Sequence, residues 1–211
     1  RERRFVADVA HELRTPLARI RTVAGAGGDP DAALRSVDRS AGELARLVDT
    51  LLLLARADAG RLVAAMEPLD LRVVVAEALP EDDRIELRAP DRPVTAIGHA
   101  DLLGRAAANL VENALRHGGG AVRVLVDEGG FAVEDEGPGV PPALAARLGE
   151  RFFRADAART GPGSGLGLAL VGEIARAHGA TLLTGNRPEG GFRAEVRGLR
   201  RPPAGGPGQG R

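Results

Sequence analysis

The sequence predicts an α-helical hairpin followed by an α+β two-layer sandwich. Three observations carry this. An apolar seam stepping by three and four runs through residues 6–55, with a single break at Gly25–Asp31. Beyond Pro68 the pattern changes to short alternating runs interleaved with helical ones, as in helices packed on one sheet. At 211 residues and 44% hydrophobic, the chain can bury the cores of two small domains. The boundaries read as 1–62 for the hairpin, 63–70 for a linker, 71–199 for the sandwich and 200–211 for a tail, RRPPAGGPGQGR, whose low complexity predicts disorder.

The first helix, to about residue 24, has its seam at Val6, Ala10, Leu13, Leu17, Ile20 and Ala24. Pro16 removes a backbone donor and strains the carbonyl near Glu12, so the helix is expected to bend there. GAGGDPD is a turn, with Asp29 or Asp31 available as a cap. The second helix starts near Pro30 or Asp31 and carries Leu34, Val37, Ala41, Leu44, Val48, Leu51 and Ala55, ending before Gly60. Leu47 and Leu54 widen its stripe beyond what a two-stranded coil needs. Pairing with a second copy into a four-helix bundle would bury it; an ordinary hairpin inside one domain is the alternative.

In the second part, helices are expected at Leu71–Leu79, Ala100–His117, Ala143–Leu148 and Leu166–His178. Strands are expected at Ile85–Arg88, Val94–Ile97, Ala121–Asp127, Phe131–Asp135, Thr181–Thr184 and Phe192–Val196. His178 reads as a helix end and His99 as a surface residue.

Composition excludes several chemistries. There is no Cys, hence no disulfide, thiolate or Cys-ligated metal. All 29 bases are Arg, so there is no Schiff-base or P-loop lysine. They are balanced by 29 acids, and the zero net charge argues against a general nucleic-acid binder. No apolar run reaches the roughly 18 residues of a membrane span. The chain opens inside a helical pattern without an initiating Met, which suggests a fragment lacking upstream regions.

Chemistry concentrates at four places. His11 and Thr15 lie one turn apart, off the seam of the first helix, and Glu12 is beside them. An imidazole on the wet face of a helix is free to act as a nucleophile, and an adjacent carboxylate could orient it or take its proton. Asn109 and Asn113 share a face of their helix at i and i+4; read alone, they are either hard neutral ligands for a phosphate-neutralised Mg²⁺ or a solvated polar face. At VEDEGPGV a strand ends in Asp135 and breaks at Gly137-Pro138-Gly139. This is either a plain tight turn or a carboxylate that accepts from an exocyclic amino group, selecting adenine over guanine. Finally, Phe152-Phe153-Arg154 precedes a small, polar, Gly-rich stretch suited to a mobile lid, and Gly163, Gly165 and Gly167 lead into a helix N-terminus, an anion site. The spacing is neither GxGxxG nor Walker A.

HELRTPL, from His11 to Leu17, resembles the phosphoacceptor box of the sensor histidine kinases, and the three later motifs in this order resemble the N, G1, F and G2 boxes of their Bergerat-type ATP-binding domain. The resemblance covers nearly the whole chain through Val196. It implies ATP and Mg²⁺ as cofactors, with Asn113 and Asn109 as metal ligands and Glu112 holding a metal-bound water. Arg116 and His117 would line the nucleotide and Asp135 would read adenine. Gly137, Gly139, Arg154, Gly163, Gly165, Leu166 and Gly167 would complete the nucleotide site. It further implies His11 as phosphoacceptor, Glu12 as base, Thr15 as a water-positioning residue for a phosphatase activity, a homodimer through the hairpin, and a response-regulator receiver domain as partner. The chain would be the cytoplasmic portion of a membrane-anchored protein, reaching the membrane only through absent segments. Gly149 stands where the F box has its first aromatic, Ala180 replaces a Gly, and Phe192 and Ala194 exchange a large and a small residue. Two other readings stay open: a decayed dimeric scaffold, which would bind no adenine nucleotide, and an ATPase of the same fold, which would not need His11.

Overall fold

The computed structural model describes residues 2–25, 29–62, 65–145, 147–153 and 164–202, without the side chains of residues 2–6, 24 and 25. Helix α1 (Glu2–Gly25) runs without interruption through Pro16, and α2 (Pro30–Asp58) packs against it. Asp29 caps α2 by accepting the N–H of Asp31 at 3.1 Å, with Pro30 at the first helical position, where its missing donor costs nothing.

On α2 the buried line is Ser40, Leu47 and Leu54, spaced by seven, which lies beside the expected seam. Leu34 and Val48, on the expected seam, are 69% and 44% exposed, as are Leu52 at 55% and Leu17 on α1 at 48%. The difference has a physical reason. Leu54 belongs to the same buried cluster as the core of the second domain, so α2 buries the flank facing that domain rather than its broad apolar face. Val6 and Ala24 lie outside the described side chains.

The second domain begins earlier than expected. Residues 67–70, read above as linker, form strand β1 (Glu67–Asp70), which pairs antiparallel with β3 (Thr95–Gly98) in a separate two-stranded sheet. Pro68 is tolerated because this strand has only one partner. Asp70 then caps α3 (Leu71–Glu77), accepting from Arg72 N at 3.1 Å and Val94 N at 3.2 Å. The Arg72 guanidinium on its carboxylate lowers the Asp70 pKa to about 2.

The main sheet has the order β2-β4-β5-β7-β6, with β2 (Ile85–Arg88) parallel to β4 (Val122–Asp127) and all other pairs antiparallel. The remaining strands are β5 (Gly130–Glu134), β6 (Thr181–Asn186) and β7 (Phe192–Arg197). Val122, Val124, Val126, Phe131, Val133, Ala194 and Val196 supply the buried face. Helices α4 (Ala100–His117) and α6 (Gly167–Ala177) cover it with Leu103, Leu110, Leu170 and Ile174, each at most 2% exposed. Each such side chain contributes about 1.5–3 kcal/mol on burial. The opposite face carries alternating charges in register across four strands, Glu86, Arg123, Glu134 and Arg193. The expected helix at 143–148 shortens to α5 (Pro142–Ala145). In the expected tail, Arg200 accepts from Ile97 N at 2.7 Å and Arg201 pairs with Glu128 at 2.7 Å, while residues 203–211 lie outside the described residues.

His178, just past α6, is fully buried, and it ties two helices together. Its Nδ1 lies 2.7 Å from the Ile174 carbonyl oxygen, and its Nε2 accepts the backbone N–H of His99 at 3.0 Å. His99 is the N-cap of α4 and is partly buried rather than a surface residue, because this bond draws it inward. A neutral ring satisfies both bonds, and burial, followed by the charge of His99, holds the His178 pKa below its ordinary 6.5. Below that pH the folded chain therefore binds fewer protons than the unfolded one. Stability is complete above about pH 6.5 and falls as the solution is acidified. Urea midpoints measured from about pH 8 down to about pH 5 should decline at the acid end, and a His178→Gln variant should show a shallower decline.

Candidate functional site

Helix α4 presents one polar face. Asn109 donates from Nδ2 to the carbonyl of Arg105 at 2.8 Å, which leaves Oδ1 turned toward the start of α6. A Cβ at Gly167 would stand 3.1 Å from that oxygen, a tight contact that the glycine avoids. Asn113 lies one turn further, half-buried. Glu112 and Arg116 form an i,i+4 ion pair along the exposed edge. Arg116 and His117 occupy the last turn, where cations suit the helix dipole.

Asp135 follows β5 and is 5% exposed. Its Oδ1 accepts the N–H of Gly137 at 2.8 Å and of Phe192 at 3.2 Å. Among the described residues no hydrogen bond reaches Oδ2. Backbone crowds the residue from behind. A Cβ on Gly118 would meet the Asp135 Cβ at 2.4 Å. Gly191, at φ 91°, would bring a Cβ to 1.9 Å from the Asp135 carbonyl oxygen, so only glycine fits there. The carboxylate is thus fixed by one oxygen and presents the other.

At α6, Phe152 donates its N–H to the carbonyl of Gly165 at 3.1 Å. Among the described residues no side chain caps the helix, which leaves its first N–H groups for an anion. Arg147 stacks on the Phe153 ring, 4.2 Å from its centroid.

These surfaces share one cavity of about 580 Å³. Its walls include His11, Glu12, Thr15 and Pro16 of α1, Asn109, Glu112, Asn113, Arg116 and His117 of α4, then Asp135, Gly139, Phe153, Gly165, Gly167 and Phe192. The hairpin is held in this position by α2 packing on α6, with Leu54 fully buried. Arg151 also grips Asp58 near the end of α2 with two bonds of 2.8 and 2.6 Å, which lowers the Asp58 pKa.

Residues 1–60 match the His Kinase A (phospho-acceptor) domain, and residues 98–202 match the histidine kinase-, DNA gyrase B- and HSP90-like ATPase family. The solved mycobacterial sensor histidine kinase MprB is 32% identical with a TM-score of 0.53, over 64% of this chain and 99% of that one. The chain belongs to the sensor histidine kinase family. The histidine kinase domain of the E. coli osmosensor EnvZ is likewise 32% identical, with a TM-score of 0.53 over 71% of this chain and 97% of that one. The sensor protein QseC of Salmonella typhi is 38% identical over 93% of this chain. The chain spans about half the length of that relative, 47%.

Within this member of the family the expected site residues separate into three groups. Most of them line the cavity together. Leu166 is fully buried and Gly137 serves through its N–H to Asp135, so neither adds a side chain to the wall. Arg154 and Gly163 lie outside the described residues. Gly149, in place of an aromatic, adopts φ 94° on the cavity wall. Arg105, which none of the sequence motifs marks, lines the cavity one turn before Asn109. The i,i+4 spacing that joins Asn109 to Asn113 extends back to it. Phe192, marked in the sequence only by its exchange of size with Ala194, is also on the cavity wall, and its place beside Asp135 depends on the pairing of β7 with β5.

Proposed function

We propose that the chain transfers the γ-phosphoryl group of ATP to His11 and then to an aspartate on the receiver domain of a response regulator. The observation that supports this best is the single cavity shared by His11, the α4 amides and Asp135. Adenine places its amino group on the free oxygen of Asp135, which guanine, presenting an oxygen there, cannot use. The polyphosphate runs toward Asn109, Asn113 and the start of α6. The amides suit a Mg²⁺ that arrives on phosphates: they are hard and neutral, and among the described residues no three His, Cys, Asp or Glu side chains could enclose a metal ion. Asn113 and Asn109 would hold it, with Glu112 acting through water; bound there, Mg²⁺ neutralises charge on the phosphates.

In the transfer, the lone pair of an imidazole nitrogen forms the N–P bond as the bond from phosphorus to the ADP oxygen breaks. The imidazole proton passes to Glu12. Holding the two reactants in line supplies most of the acceleration. In the second step the N–P bond breaks and an acyl phosphate forms on the regulator. Thr15, one turn from His11 on the same cavity wall, positions a water that attacks the regulator's acyl phosphate, breaking the bond to the aspartate and releasing inorganic phosphate. The exposed Leu17, Leu34, Val48 and Leu52 support a homodimer that completes a four-helix bundle. No helix among the described residues is long and apolar enough to cross a membrane. From the likeness to sensor proteins such as QseC, of which the chain spans 47%, we assign this portion to the cytoplasm and membrane attachment to segments outside it.

Label from γ-labelled ATP should appear on the chain only with Mg²⁺ present and should move to a receiver domain but not to its Asp→Asn form. A Thr15→Ala variant should keep this transfer and lose most regulator dephosphorylation. Full dephosphorylation by the variant would remove Thr15 from that role.

A further inference from the structure

The hairpin turn between β6 and β7 reaches back to the adenine side of the cavity, and nothing in the sequence motifs accounts for the polar side chains Asn186 and Arg187 at its start. Asn186 ends β6 and pairs with the backbone of Val140 as one strand pairs with another. Its Oδ1 accepts the Val140 N–H at 2.8 Å, and its Nδ2 donates to the Val140 carbonyl, also at 2.8 Å. Val140 closes the Gly137–Val140 loop, of which Pro138, Gly139 and Val140 line the cavity. Gly139 sits directly against the clamp, since a Cβ there would fall 2.6 Å from the Asn186 Oδ1. The next residue, Arg187, donates from Nη1 to the backbone carbonyl of Asp135 at 3.0 Å and pairs with Glu134 at 3.5 Å, its side chain only 15% exposed. Its own N–H bonds to Gly191, which closes the turn so that Phe192 can donate to the Asp135 carboxylate.

We infer that Asn186 and Arg187 are positioning residues for adenine recognition. They hold the Gly137–Val140 loop and the Asp135 backbone in register, so that one carboxylate oxygen is spent on Gly137 and Phe192 and the other faces the base. This rests on the reading of Asp135 as the adenine acceptor. Neither side chain lines the cavity, so each acts through the backbone it holds. Releasing Val140 frees the loop that supplies the Gly137 N–H, and the carboxylate loses its fixed direction. The loss falls on base selection rather than on phosphoryl transfer, because the clamp is on the adenine side and His11 enters from α1.

The test is equilibrium binding of ATP and of GTP to the whole chain and to Asn186→Ala, together with KM and kcat for labelling. Losing two surface hydrogen bonds should weaken ATP binding about five- to tenfold. GTP binding should stay near its parent value, so the ATP-over-GTP ratio falls by the same factor. The increase should appear in KM for ATP, with kcat falling less than about twofold. The thermal midpoint should move by no more than about 4 °C. Asn186→Asp, which keeps the acceptor and loses the donor, should give a smaller fall in the ratio, and Arg187→Lys should lower it as well. An unchanged ATP-over-GTP ratio in all three variants, with a selective parent, overturns the inference and leaves the kinase reading intact. A parent that shows no preference for ATP over GTP overturns the role of Asp135 and this inference with it.

Discussion

A His11→Ala variant should incorporate no detectable label from γ-labelled ATP, a loss of at least about a thousandfold, because the nucleophile itself is removed. The same variant should bind ATP within about twofold of the parent. The two results separate because the residues sit on different elements. His11 comes from α1, while the amides and Asp135 come from α4 and the end of β5. His11 is exposed on its helix and contributes to the cavity wall without belonging to the buried cluster, so its truncation leaves the fold unchanged. Labelling of the variant at the parent rate would place the acceptor elsewhere and favour a plain ATPase. Loss of ATP binding in the variant would mean that the hairpin helps to form the nucleotide site.

An Asp135→Asn variant should bind ATP about a hundredfold more weakly, through loss of a charge-assisted bond and the approach of two donors. The substitution preserves shape. The carbonyl of the amide can still accept from Gly137 and Phe192, the two bonds that fix the side chain. The amide nitrogen then takes the place of the free oxygen and meets the amino group of adenine as donor against donor. For guanine the same change is favourable, since it presents an acceptor. Titration with ATP and GTP should therefore show the ratio of affinities inverting toward GTP, with thermal stability close to that of the parent. Unchanged selectivity would take base reading away from Asp135.

Much of this site is legible in the chain because local rules act at short range. The α4 face follows from the i,i+4 spacing of Asn109 and Asn113, and the uncapped start of α6 from its glycines. The expected strands lie within two residues of those observed, because alternation between Val122, Val124 and Val126 leaves one register for the buried face. What periodicity does not reveal is which part of a wide stripe meets which partner. On α2 the stripe is real, but the line buried within one chain is Leu47 and Leu54, since α6 approaches from that side. The same limit hides β1. Residues 67–70 contain a proline and only two residues with apolar character between charged ends, and they become a strand through pairing with β3, nearly thirty residues on. Phe192, Asn186 and Arg187 belong to this class too. Their proximity to Asp135 and Val140 arises from sheet order, over separations of some fifty residues, and no local pattern encodes it.

The most direct test of the central claim is the chemistry of the phosphate bond. The intact chain, incubated with γ-labelled ATP and Mg²⁺, should carry label that is lost in acid and retained in base, and the labelled peptide should contain His11. Such a bond is a phosphoramidate on imidazole, the product that the shared cavity is proposed to form. Label that survives acid, label on a peptide without His11, or ATP binding with no label would contradict the account.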